Sequence, residues 1–187
     1  MKSSETNKRT RLLEAANELV HAQGFNQTTL ADIAKEADVP LGNVYYYYKT
    51  KEEIGAALIE HRANFYRGLR DSWNKSPNPK TRLHSFIQMT IDNREMLARS
   101  GCPIGTLCQE LHKEDGPLAR KASSMFIELL EWLEAQFHAL GKEGESADLA
   151  LHLLSVLEGA SLLTNTLKDP ELMLRESVRL KKWVDAL

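Results

Sequence analysis

The sequence predicts an all-α protein with a small N-terminal three-helix domain followed by a larger helical domain. Apolar residues recur three and four positions apart almost throughout the chain, which is the periodicity of amphipathic helices. The alternating apolar pattern typical of strands is nearly absent. Pro and Gly mark the breaks, most clearly at residues 76–79. We expect one domain at residues 6–66 and the second at residues 67–187.

The first helix is predicted from Lys8 to Gln23, after a polar and frayed segment at residues 1–7. Gly24 is a typical residue to end a helix, because it tolerates the left-handed conformation. Phe25 is then expected to fill the core of the three-helix domain. One face of this helix carries Leu12, Ala16, Leu19 and Val20.

A second and a third helix are predicted within the stretch TTLADIAKEADVPLGNVYYYYKTKEE, which runs from Thr28 to Glu53. Thr29 followed by Asp32 resembles a capping box, with Asp in the usual place of Glu. Pro40 disfavours helix in the residue before it, so a new helix begins near Leu41. The result is a helix-turn-helix over residues 29–48. The second helix has its apolar face at Leu30, Ile33, Ala34 and Ala37.

The third helix, predicted from Leu41 to Tyr48, carries four consecutive tyrosines. At 100° per residue, one side of the helix holds Leu41, Val44, Tyr45 and Tyr48, and the other holds Gly42, Asn43, Tyr46 and Tyr47. Four consecutive aromatic residues cannot all be buried on one short helix. Exposed phenols beside Gly and Asn can donate hydrogen bonds to phosphate oxygens and base edges. The alternative is an amphipathic helix with half-buried tyrosine rings.

This segment resembles the helix-turn-helix of the TetR family of transcriptional regulators, which usually reads T-x-x-x-I-A-x-x-A-G-V-S-x-G-x-x-Y-x-H-F-x-x-K. The departures are Asp38 for Gly, Pro40 for Ser, Tyr47 for His and Tyr48 for Phe, so the operator preference of the family does not carry over. The residues that carry the resemblance are Thr28, Thr29, Asp32, Ile33, Ala34, Ala37, Val39, Gly42, Tyr45 and Lys51, with the aromatic Tyr48 in the place of Phe.

The resemblance implies a homodimeric regulator, expected to be a repressor, that binds a pseudo-palindromic double-stranded DNA operator and responds to a small-molecule inducer. The third helix, from Leu41 onward, would enter the major groove. Gly42, Asn43 and Tyr46 would face the bases. The phosphates would be clamped by Thr29, Tyr45, Tyr47 and Lys51.

The charge of the chain alone does not indicate nucleic acid, because the net charge is −2. Residues 1–51 hold seven Lys or Arg and six Asp or Glu, so the N-terminal part is only faintly basic. Binding would depend on a local cluster of cations, with a modest salt dependence. The cluster is Lys2, Lys8, Arg9, Arg11, Lys49 and Lys51.

The rest of the chain is predicted to be helical, beginning with a long helix from after Thr50 to Trp73. The last two helices, at residues 146–168 and 170–187, are apolar on more than one face, so each must be buried on more than one side. We expect them to form the homodimer interface as a four-helix bundle, which the family resemblance also implies. The intervening helices are predicted at residues 81–99, from residue 104, and at residues 118–140.

Cys102 lies in S-G-C-P-I-G, just before a predicted helix start, where the helix dipole can lower the pKa of a thiol. A cysteine at this break resembles a branch of the family that senses electrophiles, whereas the alternative is a small buried residue. Cys108 lies on an apolar face and is expected in the core. A third possibility is a regulator opened by a non-covalent apolar ligand, bound among residues 81–140.

An enzyme using Cys102 as nucleophile is the competing class of function, but no base or orienting residue accompanies it, so we expect no catalytic residue. No metal site and no cofactor is predicted. The segment MKSSETNKRTR lacks the apolar region of a signal peptide, and no apolar run approaches the ~20 residues of a membrane helix, so no membrane association is expected. The expectation is a cytoplasmic protein.

Overall fold

The computed structural model describes residues 2–114 and 116–187, with side chains from Lys8 onward. Asp115 and the Lys2 side chain of the cation cluster lie outside this description. The described residues form helices and no strand, which confirms the all-α prediction. Their ten helices are α1 (Lys2–Gln23), α2 (Leu30–Glu36), α3 (Leu41–Tyr47), α4 (Lys51–Trp73), α5 (Pro79–Asp92), α6 (Arg94–Ser100), α7 (Pro103–His112), α8 (Pro117–Ala139), α9 (Ser146–Leu167) and α10 (Pro170–Ala186).

The helices differ from the prediction by more than two residues in two places. α1 begins at Lys2, six positions before the predicted start at Lys8. The single helix predicted over residues 81–99 is two helices, because Asn93 ends α5 and begins α6. The Asn93 side chain donates a hydrogen bond to the Met89 carbonyl at 2.7 Å. A short amide side chain that competes for backbone groups in this way favours a helix end.

The first compact unit comprises the residues up to Phe65 together with Thr106–Ser123. Its core is built from residues of the apolar faces predicted for the first two helices, from Val44 of α3, and from Val39, Tyr48 and Ile54. Phe25 is buried, as expected for the residue that fills this core. Helical periodicity therefore predicts the packing of this unit well. The other core members are Leu12, Ala15, Ala16, Ile33, Ala34 and Ala37.

The second compact unit comprises Tyr66–Gly105 and Ser124–Leu187. Its core combines residues of α5, α6, α8, α9 and α10. The division differs from a linear split after residue 66, because Thr106–Ser123 belong with the N-terminal residues. Lys121 of α8 and Glu60 of α4 form an ion pair within the first unit, with Nζ 3.9 Å from Oε2. The largest fully buried side chains of the second core include Leu83, Ile87, Leu133, Phe137, Leu153 and Met173.

α9 is the one helix in the described part of the chain that is long and apolar enough to cross a membrane by length and composition. It has 22 residues and a mean hydropathy of 1.3 over its best window, which corrects the expectation that no segment reaches this range. A core helix of a globular protein meets the same criteria. α9 contributes Leu153, Leu154 and Leu157 to the core of the second unit.

Candidate nucleic-acid interface

Thr29 begins α2 with the predicted capping box. Its hydroxyl accepts a hydrogen bond from the Asp32 backbone N–H at 3.1 Å, and the Asp32 carboxylate accepts one from the Thr29 N–H at 3.0 Å. The Thr29 hydroxyl also donates to the same carboxylate at 2.7 Å. These bonds lower the pKa of Asp32. Thr29 is therefore fixed at the helix start, where its N–H and hydroxyl lie at the exposed edge of the unit.

The turn between α2 and α3 is held by Arg11 of α1, a contact that sequence reasoning did not find. Its guanidinium donates to the Ala37 carbonyl and, at 2.9 Å, to the Asp38 carbonyl. Asp38 has a φ of +50°, the left-handed region that favours glycine and that Asp tolerates. The departure from the usual Gly at this position is thus compatible with the turn geometry.

α3 presents most of its surface to solvent. Val44 and Tyr48 are buried, at 0% and 3% exposure, whereas Tyr46 is 73% exposed. Leu41 and Tyr45, which helical periodicity placed on the inner side, are 40% and 52% exposed. The correction has a simple cause: a seven-residue helix contacts the core over a small area, which Val44 and the partly buried Tyr47 occupy, and Tyr48 follows the helix end in an extended conformation.

The remaining tyrosine of the run, Tyr47, is half-buried and lies edge-to-face against Tyr46, with ring centroids 5.0 Å apart. Asn43 is also half-buried, while Gly42 is exposed. A Cβ built on Gly42 would meet no described atom within 4 Å, so the fold itself does not require glycine there. The exposed surface of α3 therefore consists of Leu41, Gly42, Tyr45 and Tyr46, flanked by Asn43 and Tyr47.

The cations of the predicted cluster have structural contacts of their own. Lys51 donates to the Asn26 carbonyl at 3.0 Å, and its ammonium lies 4.7 Å from the centroid of the Phe25 ring. The Arg9 guanidinium lies 5.6 Å from the centroid of the Tyr48 ring. Lys49 is exposed. The Lys51 and Arg9 side chains are thus held beside the helix-turn-helix, at positions suited to phosphate contacts.

Cys102, in the second unit, lies directly before α7, as predicted. Its sulfur accepts a hydrogen bond from the Gly105 N–H at 3.3 Å. Burial and the Glu158 carboxylate, to which the thiol is hydrogen-bonded, raise the pKa of Cys102 well above its ordinary value. The dipole effect expected from the sequence is therefore outweighed by desolvation and by a neighbouring negative charge. Cys108 is buried at 7% exposure, as expected for a core residue.

Two hydroxyls of α9 are buried in the second unit without a hydrogen-bond partner among the described residues, those of Ser161 and Thr164. A buried hydroxyl without a hydrogen-bond partner destabilises the fold. A ligand that formed a hydrogen bond to either hydroxyl would remove this cost, and the free energy recovered would favour its binding. They follow Glu158 along α9 at intervals of three. Among the described residues, no cluster of metal-ligating side chains is found.

The outer face of α9 carries large exposed leucines: Leu151, Leu162, Leu163 and Leu167 are 54% to 62% exposed, and Val178 of α10 is 40% exposed. Exposed apolar side chains on these two helices make α9 and α10 candidates for a protein–protein interface.

Sequence profiles of known families match both parts of the chain. The profile described as bacterial regulatory proteins of the TetR family matches residues 12–58, which contain the helix-turn-helix. A second, described as the C-terminal domain of LmrA/YxaF-like transcriptional regulators, matches residues 79–177, more than half of the chain. The chain is a transcriptional regulator of the TetR family.

Individual proteins agree with this assignment. The HTH-type transcriptional regulator YxaF of Bacillus subtilis is 27% identical over 187 residues, covering 94% of this chain and 95% of that protein. The repressor NemR of Escherichia coli is 30% identical over 93 residues, 49% of this chain and 47% of that protein. The structure of SCO4454, a TetR-family regulator of Streptomyces coelicolor, has a TM-score of 0.83 at 21% identity, covering 96% and 94% of the two chains, and is similar in fold.

Members of the family bind DNA operators and small-molecule ligands, usually as dimers. The relatives of this regulator are DNA-binding proteins and not enzymes, so the cysteine-enzyme alternative is rejected. The raised pKa of the Cys102 thiol agrees with that outcome, since the thiolate is the nucleophilic form of cysteine.

Proposed function

We propose that this regulator is a cytoplasmic homodimeric repressor that binds a pseudo-palindromic operator and is released by a small molecule or by modification of Cys102. Residues 6–66 serve as the DNA-binding domain, with the helix-turn-helix at 29–48, and residues 67–187 as the ligand-binding and dimerisation domain. The protein NemR, to which the chain is similar, is named a repressor, which supports this direction of control.

The observation that carries the proposal is the exposure of α3. A 73% exposed tyrosine beside an unobstructed glycine is hard to explain by packing, since aromatic rings contribute most when buried. In a major groove, the Tyr46 hydroxyl and the Asn43 amide can bond base edges, and Gly42 allows the backbone to come close. Tyr45, Tyr47, Thr29 and Lys51 then contact phosphates, and Leu41 makes apolar contact.

Dimerisation is supported by the exposed leucines of α9 and Val178 of α10. A pair of such helices from each of two subunits can bury these side chains in a four-helix bundle. The dimer holds two α3 helices about one turn of DNA, ~34–36 Å, apart, so that they read two half-sites. A monomer would contact one half-site and bind far more weakly.

Release is supported by the region around Cys102. The Cys102 thiol lies beside the Glu158 carboxylate, and the unpaired buried hydroxyls of Ser161 and Thr164 follow Glu158 three and six residues further along α9, so α9 carries several polar groups that a small compound can contact. A coupling of ~1–3 kcal/mol between this region and the DNA-binding domain changes affinity several-fold to a hundred-fold. Because burial and Glu158 raise the pKa of Cys102, these contacts favour a non-covalent ligand over modification of the thiol.

Footprinting of the purified protein on the DNA that flanks its own gene tests the proposal. We expect a protected region with two-fold symmetry, lost from Tyr46→Ala. Tyr48→Phe is the matched control: it removes a phenol oxygen that is buried and has no hydrogen-bond partner among the described residues, so binding should be retained. Absence of any protected site, or equal loss in both variants, would contradict the assigned role of α3.

A further inference from the structure

Glu110, in the last turn of α7, binds the backbone at the end of α1. Its carboxylate oxygens accept hydrogen bonds from two consecutive N–H groups, Phe25 to Oε2 at 2.7 Å and Asn26 to Oε1 at 2.6 Å. All three residues belong to the first compact unit. Hydrogen bonds from two donors to a carboxylate are short, strong and specific in geometry.

The local backbone explains why a carboxylate fits there. Gly24 ends α1 with a φ of +91°, and the N–H groups that follow a left-handed residue point into one concavity that favours an anion. A Cβ at Gly24 would lie 3.0 Å from Glu110 Oε2, so glycine leaves the room that the carboxylate occupies. The simplest interpretation of this contact is a purely structural one, in which a carboxylate from a distant part of the chain caps the end of α1.

The contacts of Lys51 go beyond that interpretation. The two residues whose N–H groups bind Glu110 are the same two that hold Lys51. The Lys51 ammonium donates to the Asn26 carbonyl at 3.0 Å and lies 4.7 Å from the Phe25 ring. A change in the position of Phe25 and Asn26 would therefore move both contacts of the one cation that α4 contributes to the proposed phosphate clamp.

We propose that Glu110 is a positioning residue for DNA binding, which holds Lys51 in place for a phosphate through the backbone of Phe25 and Asn26. The inference rests on the proposed function of α3 and its flanking cations. It adds that operator affinity depends on a carboxylate of α7, outside the helix-turn-helix. Glu110 itself carries the same sign of charge as DNA and makes no direct contribution to the attraction.

The test is a double-mutant cycle on the full-length protein with a labelled operator fragment, measured over a range of KCl concentrations. Glu110→Gln keeps the size of the side chain but offers one oxygen to two N–H groups. We expect roughly tenfold weaker binding, and a slope of log K against log [KCl] that is smaller by about 0.9, the value for one lost phosphate contact. A variant that is merely less stable would lose folded protein without losing that slope.

Lys51→Gln should give the same loss of operator affinity and the same decrease in salt slope. Glu110→Gln should cause little further loss in the Lys51→Gln background, because both substitutions remove the same contact between Lys51 and a phosphate. Glu114→Gln is the matched control, since Glu114 accepts a bond only from the Asn26 side chain at 3.0 Å among the contacts described, and it should bind as the wild type does. Should Glu110→Gln melt below the working temperature, Glu110→Asp replaces it, because the shorter carboxylate cannot reach both N–H groups.

Additive losses in the double variant, an unchanged salt slope, or an equal loss in Glu114→Gln would overturn the positioning role while leaving the proposed function in place. A wild-type protein that binds no operator specifically would overturn the proposed function, and this inference with it.

Discussion

The Arg67 guanidinium and the Glu128 carboxylate form a two-pronged ion pair between α4 and α8, with Nε–Oε2 at 2.9 Å and Nη2–Oε1 at 2.6 Å. Arg70 adds a third bond to Oε2 at 2.9 Å. These bonds and charges lower the pKa of Glu128 below the ordinary value of 4.5, with the Arg67 hydrogen bond as the largest cause. A planar guanidinium and a carboxylate match in this geometry.

This relationship predicts acid sensitivity of the second unit. Because the folded pKa of Glu128 is lowered, its stabilisation is complete above pH ~4.5 and is lost as the pH falls through the folded value. Glu128→Gln should lower the free energy of unfolding by about 1 kcal/mol at pH 7 and by less near pH 3. The expected value is small because Arg67 is partly exposed and solvent screens the ion pair. Urea denaturation at both pH values measures this. Glu134→Gln, an exposed position of the same helix, should change little at either pH.

Gly42 predicts opposite effects on stability and DNA binding. Replacing a helical glycine by alanine is expected to stabilise the fold by ~0.5–1 kcal/mol, since a Cβ there meets no described atom within 4 Å. The same methyl group should weaken operator binding at least tenfold if the backbone of α3 approaches DNA. Gly68→Ala in α4 is the control, because its Cβ is equally unobstructed. Melting temperature and operator affinity are the two measurements; retained affinity in Gly42→Ala would count against close approach.

Glu158 is expected to keep the Cys102 thiol protonated. Its negative charge is the second cause, after burial, of the raised pKa of Cys102, so Glu158→Gln should increase the thiolate fraction at neutral pH. In a Cys108→Ala background, which leaves a single thiol, we expect alkylation by iodoacetamide at pH 7.5 to be several-fold faster. Asp148→Asn, an exposed acid of α9, is the control. Identical rates in all three proteins would refute the effect.

The exposed leucines predict the assembly surface. Leu163 of α9 and Ile127 of α8 are each 54% exposed, so a substitution by Glu changes the same amount of exposed apolar surface in both. Leu163→Glu should shift the protein to a monomer in analytical ultracentrifugation and weaken operator binding, because a charge would be buried in the bundle. Ile127→Glu should remain dimeric. A wild-type monomer, or a dimeric Leu163→Glu variant, would exclude this face.

Sequence reasoning predicted most of the N-terminal unit because its signals are local. The Thr29–Asp32 capping box is confirmed, and so is the burial of Cys108 on an apolar face. Periodicity grouped Leu41 and Tyr45 with residues that are buried, but both are exposed, since periodicity gives the direction of a side chain but not the width of the contact. The break at Asn93 was missed because a single asparagine is compatible with a continuous helix.

Contacts between distant residues could not be predicted in the same way. Glu110 lies 85 positions from Phe25, and nothing in the spacing of either segment indicates that a carboxylate binds the α1 end. The raised pKa of Cys102 likewise depends on Glu158 of α9, whereas the sequence indicates only the helix start beside the thiol. Both results come from tertiary packing, which a local pattern does not encode.

The membership of Thr106–Ser123 in the first compact unit limits how this regulator can be divided in protein engineering. A chimera that grafts only residues 1–66 onto another regulator would leave the amides of Phe25 and Asn26 without their carboxylate. A chimera should therefore transfer the DNA-binding domain together with the second half of α7. Alternatively, the host regulator should have a helix that supplies an acidic residue at the position of Glu110.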